Sequence, residues 1–307
     1  MPEVVLKLIF PLLLLGGLIL FFWILVKRQR ARKRFSPIVE NMLRTPAQHL
    51  EAELDDLYEH MVLGINAIIL PSTVAFLTAY SNPVAWIIAG LIALGGAWIL
   101  RKTIHKSMQL RLAIDGEQYT GTELNYLMRA GAWVYHDIPY RYGNIDHLIV
   151  STGGIFAVET KTFRKPARER ELSRQSTVVF EGKQLLFPHF QTAAPLNQAC
   201  RHARYVQESI VRNLGLKVPV TPVVALPGWF IDRRTRSDVW IINPKRGGTL
   251  ATQVRKGVIS PEHATLIANY VESVARSVPA GSKKMDPDAT KYYDFWNNRR
   301  FEDRKLG

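Results

Sequence analysis

Cysteine is almost missing from this chain: Cys200 is the one thiol in 307 residues. An internal disulfide framework is therefore excluded, as is a zinc site built on several cysteines. The eight histidines include no His-x-x-x-His and no His/Cys spacing, so no zinc is expected. Acidic residues are outnumbered, 26 against 40 Lys and Arg, and the net charge is +14. That excess suits anionic partners, phospholipid headgroups or nucleic acid, without choosing between them. No helix-turn-helix and no RNA-binding signature is evident, so sequence-specific reading is not expected. With 47% hydrophobic and 21% charged residues, wholesale disorder is excluded, and the length suits one large domain or two modest ones.

Charge is also missing where hydropathy is highest. Residues 8–26 hold no charged side chain and are long enough to cover most of a hydrocarbon core of roughly 30 Å. The basic cluster Lys27-Arg28-Gln29-Arg30-Ala31-Arg32-Lys33-Arg34 follows the apolar run, the reverse of a cleavable signal peptide, so a retained anchor is expected. A second apolar region is broken at Ser81-Asn82-Pro83, which predicts a helical hairpin over 61–79 and 84–100. Arg101, Lys102, His105, Lys106 and Arg111 come next. Three spans put both basic clusters on one side, with the amino terminus outside and everything after Leu100 in the cytoplasm. The connector 27–60 reads as amphipathic, with a helix start near Thr45-Pro46. Polar residues within the hairpin are Asn66, Ser72, Thr73 and Thr78. A transporter would hold ionisable groups at that depth, so residues 1–108 are expected to be an anchor in a lipid bilayer.

From residue 109 the pattern alternates helix and strand. Residues 121–129 read as a helix ended by Gly131, and Trp133 to Ile138 as a strand. The richest stretch is 143–161, where two β-rich runs flank Thr152-Gly153-Gly154. A two-residue turn at Thr152-Gly153 pairs residues whose numbers sum to 305, and Asp146 and Glu159 satisfy that sum. Their side chains would share a face with Cβ atoms roughly 5 Å apart. Lys161 falls on the same face by the period of two. An odd-length turn would spoil this alignment. Two carboxylates in apolar surroundings repel each other and lose hydration, so such a pair calls for a cation between them.

At these residues the sequence resembles the nuclease-related domain (NERD) family of the restriction-endonuclease-like, PD-(D/E)xK superfamily. Asn144-Ile145-Asp146-His147-Leu148-Ile149-Val150-Ser151 is similar to its Ile-Asp-x-(Leu/Ile)-Val strand. Gly154-Ile155-Phe156-Ala157-Val158-Glu159-Thr160-Lys161 resembles its Glu-x-Lys strand. Gly121-Thr122-Glu123 matches its Gly-Glu start loosely, and Pro195-Leu196-Asn197-Gln198 resembles its Pro-x-x-Gln motif. The resemblance runs from about Asp115 to Asn243. It implies an α/β fold, a mixed central sheet flanked by helices, in a domain over 109–280. It also implies hydrolysis of phosphodiester bonds in DNA or RNA, with Asp146 and Glu159 as ligands of Mg²⁺ or Mn²⁺. Lys161 would orient the attacking water and stabilise phosphorus oxygens. Glu123 would add a ligand or hold a water, with Glu117 competing for that role, and Gln198 would fix the lysine or the water. The family's usual occurrence points to a bacterial inner membrane.

One departure stands out. Where the family has a short turn after its lysine, this chain has a basic insertion carrying Arg164, Lys165, Arg168, Arg170 and Arg174. These lie just past the expected metal site and are candidates for contact with a phosphate backbone. Hairpin strands are expected at 177–180 and 184–187, core strands at 220–226 and 239–243, and helices at 198–213 and 261–278. The tail 281–307 mixes both charges with aromatic residues and suggests no chemistry. The reading is a membrane-anchored, metal-dependent nuclease. The alternative is a tethered module that binds nucleic acid or a partner without turnover.

Overall fold

The computed structural model describes residues 42–78, 83–140, 143–165 and 177–277. The apolar run 8–26 with its basic cluster, the 166–176 part of the insertion and the tail lie outside them. The chain divides into two units: one holds Leu54–Gln109, and the other combines residues 42–53 with 110–277.

The first unit is helical. Helix α1, Gln48–Thr78, and helix α2, Pro83–Leu124, each extend beyond it. The expected separation of a connector ending at 60 from a helix starting at 61 does not occur. No breaker stands between Tyr58 and Gly64, so α1 runs through. Both helices are long and apolar enough to cross a membrane. The third expected span falls outside the described residues, so two candidates stand. Their apolar stretches point outward, with Leu91 and Leu94 65% and 69% exposed. A contiguous apolar surface of this kind suits lipid far better than water. The helices touch at glycines: a Cβ on Gly96 would lie 2.8 Å from the Gly64 carbonyl oxygen. Small residues let backbones approach this closely in membrane hairpins.

In the second unit, α2 continues past Gly116 and Gly121 to Leu124, then tightens into a 3₁₀ turn, Asn125–Ala130. Gly121 was expected to open a helix and instead lies inside one. Both glycines serve close approach. A Cβ on Gly116 would overlap Thr162 Oγ1, and one on Gly121 would fall 2.4 Å from Pro46 Cγ. Gly131, at φ 83°, ends the turn as expected.

The main sheet is five-stranded and mixed, in the order β1 (Trp133–Tyr140), β2 (Gly143–Ser151), β3 (Gly154–Thr160), β7 (Val220–Ala225), β9 (Trp240–Ile242). Strands β1 to β3 run antiparallel, and β3, β7 and β9 parallel. Alternation decides the faces. Leu148, Val150, Ile155 and Ala157 pack with helices α3 (Ala194–Leu214) and α5 (Pro261–Arg276). Ile149, Phe156 and Val158 pack on the other side with Leu124, Leu127 and, from the short helix α4 (Leu250–Gln253), Leu250. A smaller sheet takes β4 and β5 from the expected hairpin and adds two strands the sequence did not announce, in the order β6 (Gln191–Thr192), β5 (Leu185–Leu186), β4 (Thr177–Phe180), β8 (Phe230–Arg233). Its Phe180 and Leu185 close a third core cluster with Trp229 and Leu196.

Candidate active site

The β2–β3 hairpin turns at Thr152-Gly153, and its partners run from Ser151↔Gly154 to His147↔Val158, each sum being 305. The register expected from the sequence is the one found. Asp146 and Glu159 lie one step beyond the last pair of this ladder, and alternation puts both on the face of α3. Strands β1 and β2 pair with a sum of 283, from Trp133↔Val150 to Tyr140↔Gly143. Asp137 would oppose Asp146 in that ladder, completing a row of three acids across three strands. It leaves the ladder instead: its φ is +52°. Its buried carboxylate takes Arg44 Nη1 at 3.2 Å, His49 Nδ1 at 2.5 Å and Asn144 Nδ2 at 2.6 Å.

The other two acids remain inside. The Thr160 amide donates to Asp146 Oδ2 at 2.6 Å. Glu159, fully buried, has Lys161 Nζ 2.6 Å from Oε1 and His202 Nδ1 3.1 Å from Oε2. His202 Nε2 is 3.0 Å from the Tyr140 hydroxyl. The Lys161 amide donates to the Ala225 carbonyl at 3.0 Å, so β7 fixes the lysine's backbone. A third carboxylate arrives from α2. Glu117 is buried, and its Oε2 has no hydrogen-bond partner among the described residues.

These groups feel one another. Burial, then Asp137 and Glu159, push Glu117 up from 4.5 to about 7, while His49 and Lys161 oppose the rise. Asp146 is raised well above the ordinary aspartate value by burial and by Glu159 and Glu117, against the Thr160 amide and Lys161. Burial alone would lower Lys161, but Glu159, then Asp146 and Glu117, outweigh it and the ammonium form is favoured. Three carboxylates around one ammonium group leave a surplus of negative charge in a buried place. An all-oxygen donor set of this kind fits a hard divalent cation. Among the described residues no three His, Cys, Asp or Glu side chains form a ready-made ligand set. A cation here would rest on one or two carboxylates, with water and substrate oxygens completing its shell.

Of the residues expected from the sequence, Asp146, Glu159 and Lys161 come together. Gln198 is half-buried on α3, one turn ahead of His202 and on the same helical face. Glu123 stands apart: its carboxylate accepts from the Arg246 amide. Six residues further along α2 than Glu117, it faces a different direction, and Glu117 occupies the place foreseen for it. Arg164 and Lys165 are exposed, and Lys165 Nζ donates to the Gly228 carbonyl at 2.6 Å. Arg168, Arg170 and Arg174 lie outside the described residues. His202, Asp137, Arg44 and His49 were not foreseen.

Residues 113–227 match the family model of the nuclease-related domain, NERD. Over this stretch, under half of its length, the chain is similar to a nuclease-related domain. The match takes in Glu117, the acid hairpin, Lys161, Gln198 and His202, and stops before β8. Arg44 and His49 fall outside it. The NERD match is narrower than the span expected from the motifs, which reached Asn243. No curated protein and no solved structure matches the chain.

Proposed function

We propose that the nuclease-related domain is a divalent-metal-dependent phosphodiester hydrolase, acting on DNA or RNA without strong sequence preference and anchored to a lipid bilayer. The observation that carries the reading is the convergence of Glu117, Asp146 and Glu159 on Lys161 in a buried place. Asp146 and Glu159 would hold Mg²⁺ or Mn²⁺, and Glu117, in place of Glu123, would hold a metal-bound water. The bound ion would supply positive charge to the phosphoryl oxygens and lower the pKa of a water. Lys161, kept charged by its acidic neighbours, would stabilise charge growing on the phosphate. His202, braced by Tyr140, would hold the Glu159 carboxylate in its orientation, and Gln198 stands one turn away to position water.

The anchor reading rests on the two apolar helices and on Arg101, Lys102 and Lys106 beyond them. With 8–26 as a third span, the domain would be cytoplasmic at a bacterial inner membrane, the amino terminus outside. The second reading is a tethered binding module without turnover. It is favoured by the position of Lys161 Nζ on Glu159 Oε1, an oxygen that would otherwise face a metal. The full chain in detergent, given an end-labelled oligonucleotide with Mg²⁺, Mn²⁺ or EDTA, tests this. Cleavage with either metal, none in EDTA and none from Asp146→Asn with Glu159→Gln is expected. Binding without cleavage in either metal would replace the first reading by the second.

A further inference from the structure

Two residues beyond Lys161, Phe163 enters an aromatic cluster that the proposed hydrolysis does not use. Residues 187–190 join β5 to β6, and the loop closes on itself where the Phe187 amide donates to the Phe190 carbonyl at 2.8 Å. The rings of Phe187 and Phe190 are stacked, 4.5 Å apart and 9° from parallel. Phe163 sets its edge against both, at 4.7 and 5.1 Å, and Trp229 backs Phe187 at 4.9 Å. Phe187 and Trp229 are buried, whereas Phe190 is 42% exposed. A flat ring backed by a rigid stack and open to solvent offers a stacking surface at little cost in conformational entropy.

Its place and its charge both matter. Phe163 is two residues beyond Lys161, and Phe190 is four residues ahead of the start of α3, which carries Gln198 and His202. Arg164 is exposed, and Lys165 Nζ lies 5.3 Å over the Trp229 ring. Lys165 therefore borders the aromatic cluster, and the exposed Arg164 stands between it and Phe163 in the chain. Aromatic faces interleaved with Lys and Arg bind the bases and phosphates of a single strand. A base inside a duplex has both faces covered by its neighbours and cannot lie on a ring.

We propose that Phe190, backed by Phe187, is a stacking platform for an unpaired base, so that the site takes single-stranded nucleic acid in preference to blunt duplex. The inference deepens the proposed function and rests on nucleic acid being the ligand. Binding is measured in EDTA with the full chain in detergent, by fluorescence anisotropy of a labelled oligothymidylate and of a blunt duplex of two complementary strands. The single strand binds more tightly than the duplex. Phe190→Ala weakens single-strand binding about tenfold and leaves duplex binding unchanged. Phe190→Leu, which keeps apolar packing without a flat face, loses affinity as Phe190→Ala does, whereas Phe190→Trp retains it. Single-strand affinity within about twofold of wild type in both the Ala and Leu variants would overturn the platform, as would equal binding of strand and duplex. If the platform variants behave as expected but the wild type cuts nothing in Mg²⁺ or Mn²⁺, the hydrolase reading fails and this one stands.

Discussion

Arg44 holds Asp137 twice: its Nη1 donates to the carboxylate at 3.2 Å and to the backbone carbonyl at 3.3 Å. Both side chains are buried. The double contact pins a non-glycine residue in the left-handed region, a conformation that persists only where its surroundings enforce it. Removing one partner of a buried pair leaves an uncompensated charge. Arg44→Met is expected to destabilise the second unit by about 3 kcal/mol and to lower cleavage through the displaced β1. Thermal unfolding of the full chain checks this, and an unchanged midpoint would show the pair to be idle.

Glu117 and Glu123 are separable by experiment. Glu117→Gln is expected to lower cleavage on the order of a hundredfold. Glu123→Ala keeps activity and loses the bond to the Arg246 amide, costing about 1 kcal/mol. Initial rates in Mg²⁺ for the two variants decide, and the reverse order would return the role to Glu123.

The raised Glu117 carboxyl has a signature in metal-free protein. Its folded-state value of about 7 exceeds the reference 4.5, so the folded chain binds the extra proton between these limits. Its contribution to stability therefore falls as pH rises through that window. His136, lowered from 6.5 to about 4 by burial, acts oppositely and loses stability as pH falls through its own window. The difference between wild type and Glu117→Gln isolates the carboxyl. In EDTA the variant should be the more stable at pH 8, by about 3 kcal/mol. The gap should close near pH 4.5 and shrink when Mg²⁺ is added at pH 8. Equal melting curves at pH 8 would contradict it.

The helical hairpin supplies its own control. Gly96 has no room for a side chain, whereas a Cβ on neighbouring Gly95 would meet nothing within 4 Å. Gly96→Val is expected to destabilise the hairpin by about 2 kcal/mol, and Gly95→Val to do so far less. Differential scanning fluorimetry in detergent should rank them in that order.

What could be read in advance follows from the range of the forces involved. The acid hairpin was legible because a two-residue turn fixes parity, and parity puts Asp146, Glu159 and Lys161 on one face. The strands at 133–138, 220–226 and 239–243 carried their own apolar patterns. Glu117 could not be chosen over Glu123, because that depends on whether Gly121 opens a helix or lies within one. Pro46 and Thr162, remote in sequence, decide it by packing on Gly121 and Gly116. Asp137 read as an ordinary strand residue, and its partner Arg44 is 93 positions away. His202 was hidden between Ala199 and Ala203 on an apolar face. Only its spacing of four from Gln198 pointed to the site.

The turn at Thr152-Gly153 is held in a socket. The Gly153 amide donates to the Val254 carbonyl at 3.2 Å, the Val258 and Ile259 amides both donate to the Thr152 carbonyl at 2.8 Å, and a Cβ on Gly153 would collide with the Gln253 carbonyl. The acids sit six residues up each strand, about 20 Å away. Their alignment is thus dictated from the opposite rim of the sheet. A lesion among residues 250–259, or one extra residue in the reversal, could let the strands slip by a single step and turn one acid to the wrong side. Damage that silences the chemistry can therefore originate where no substrate ever reaches.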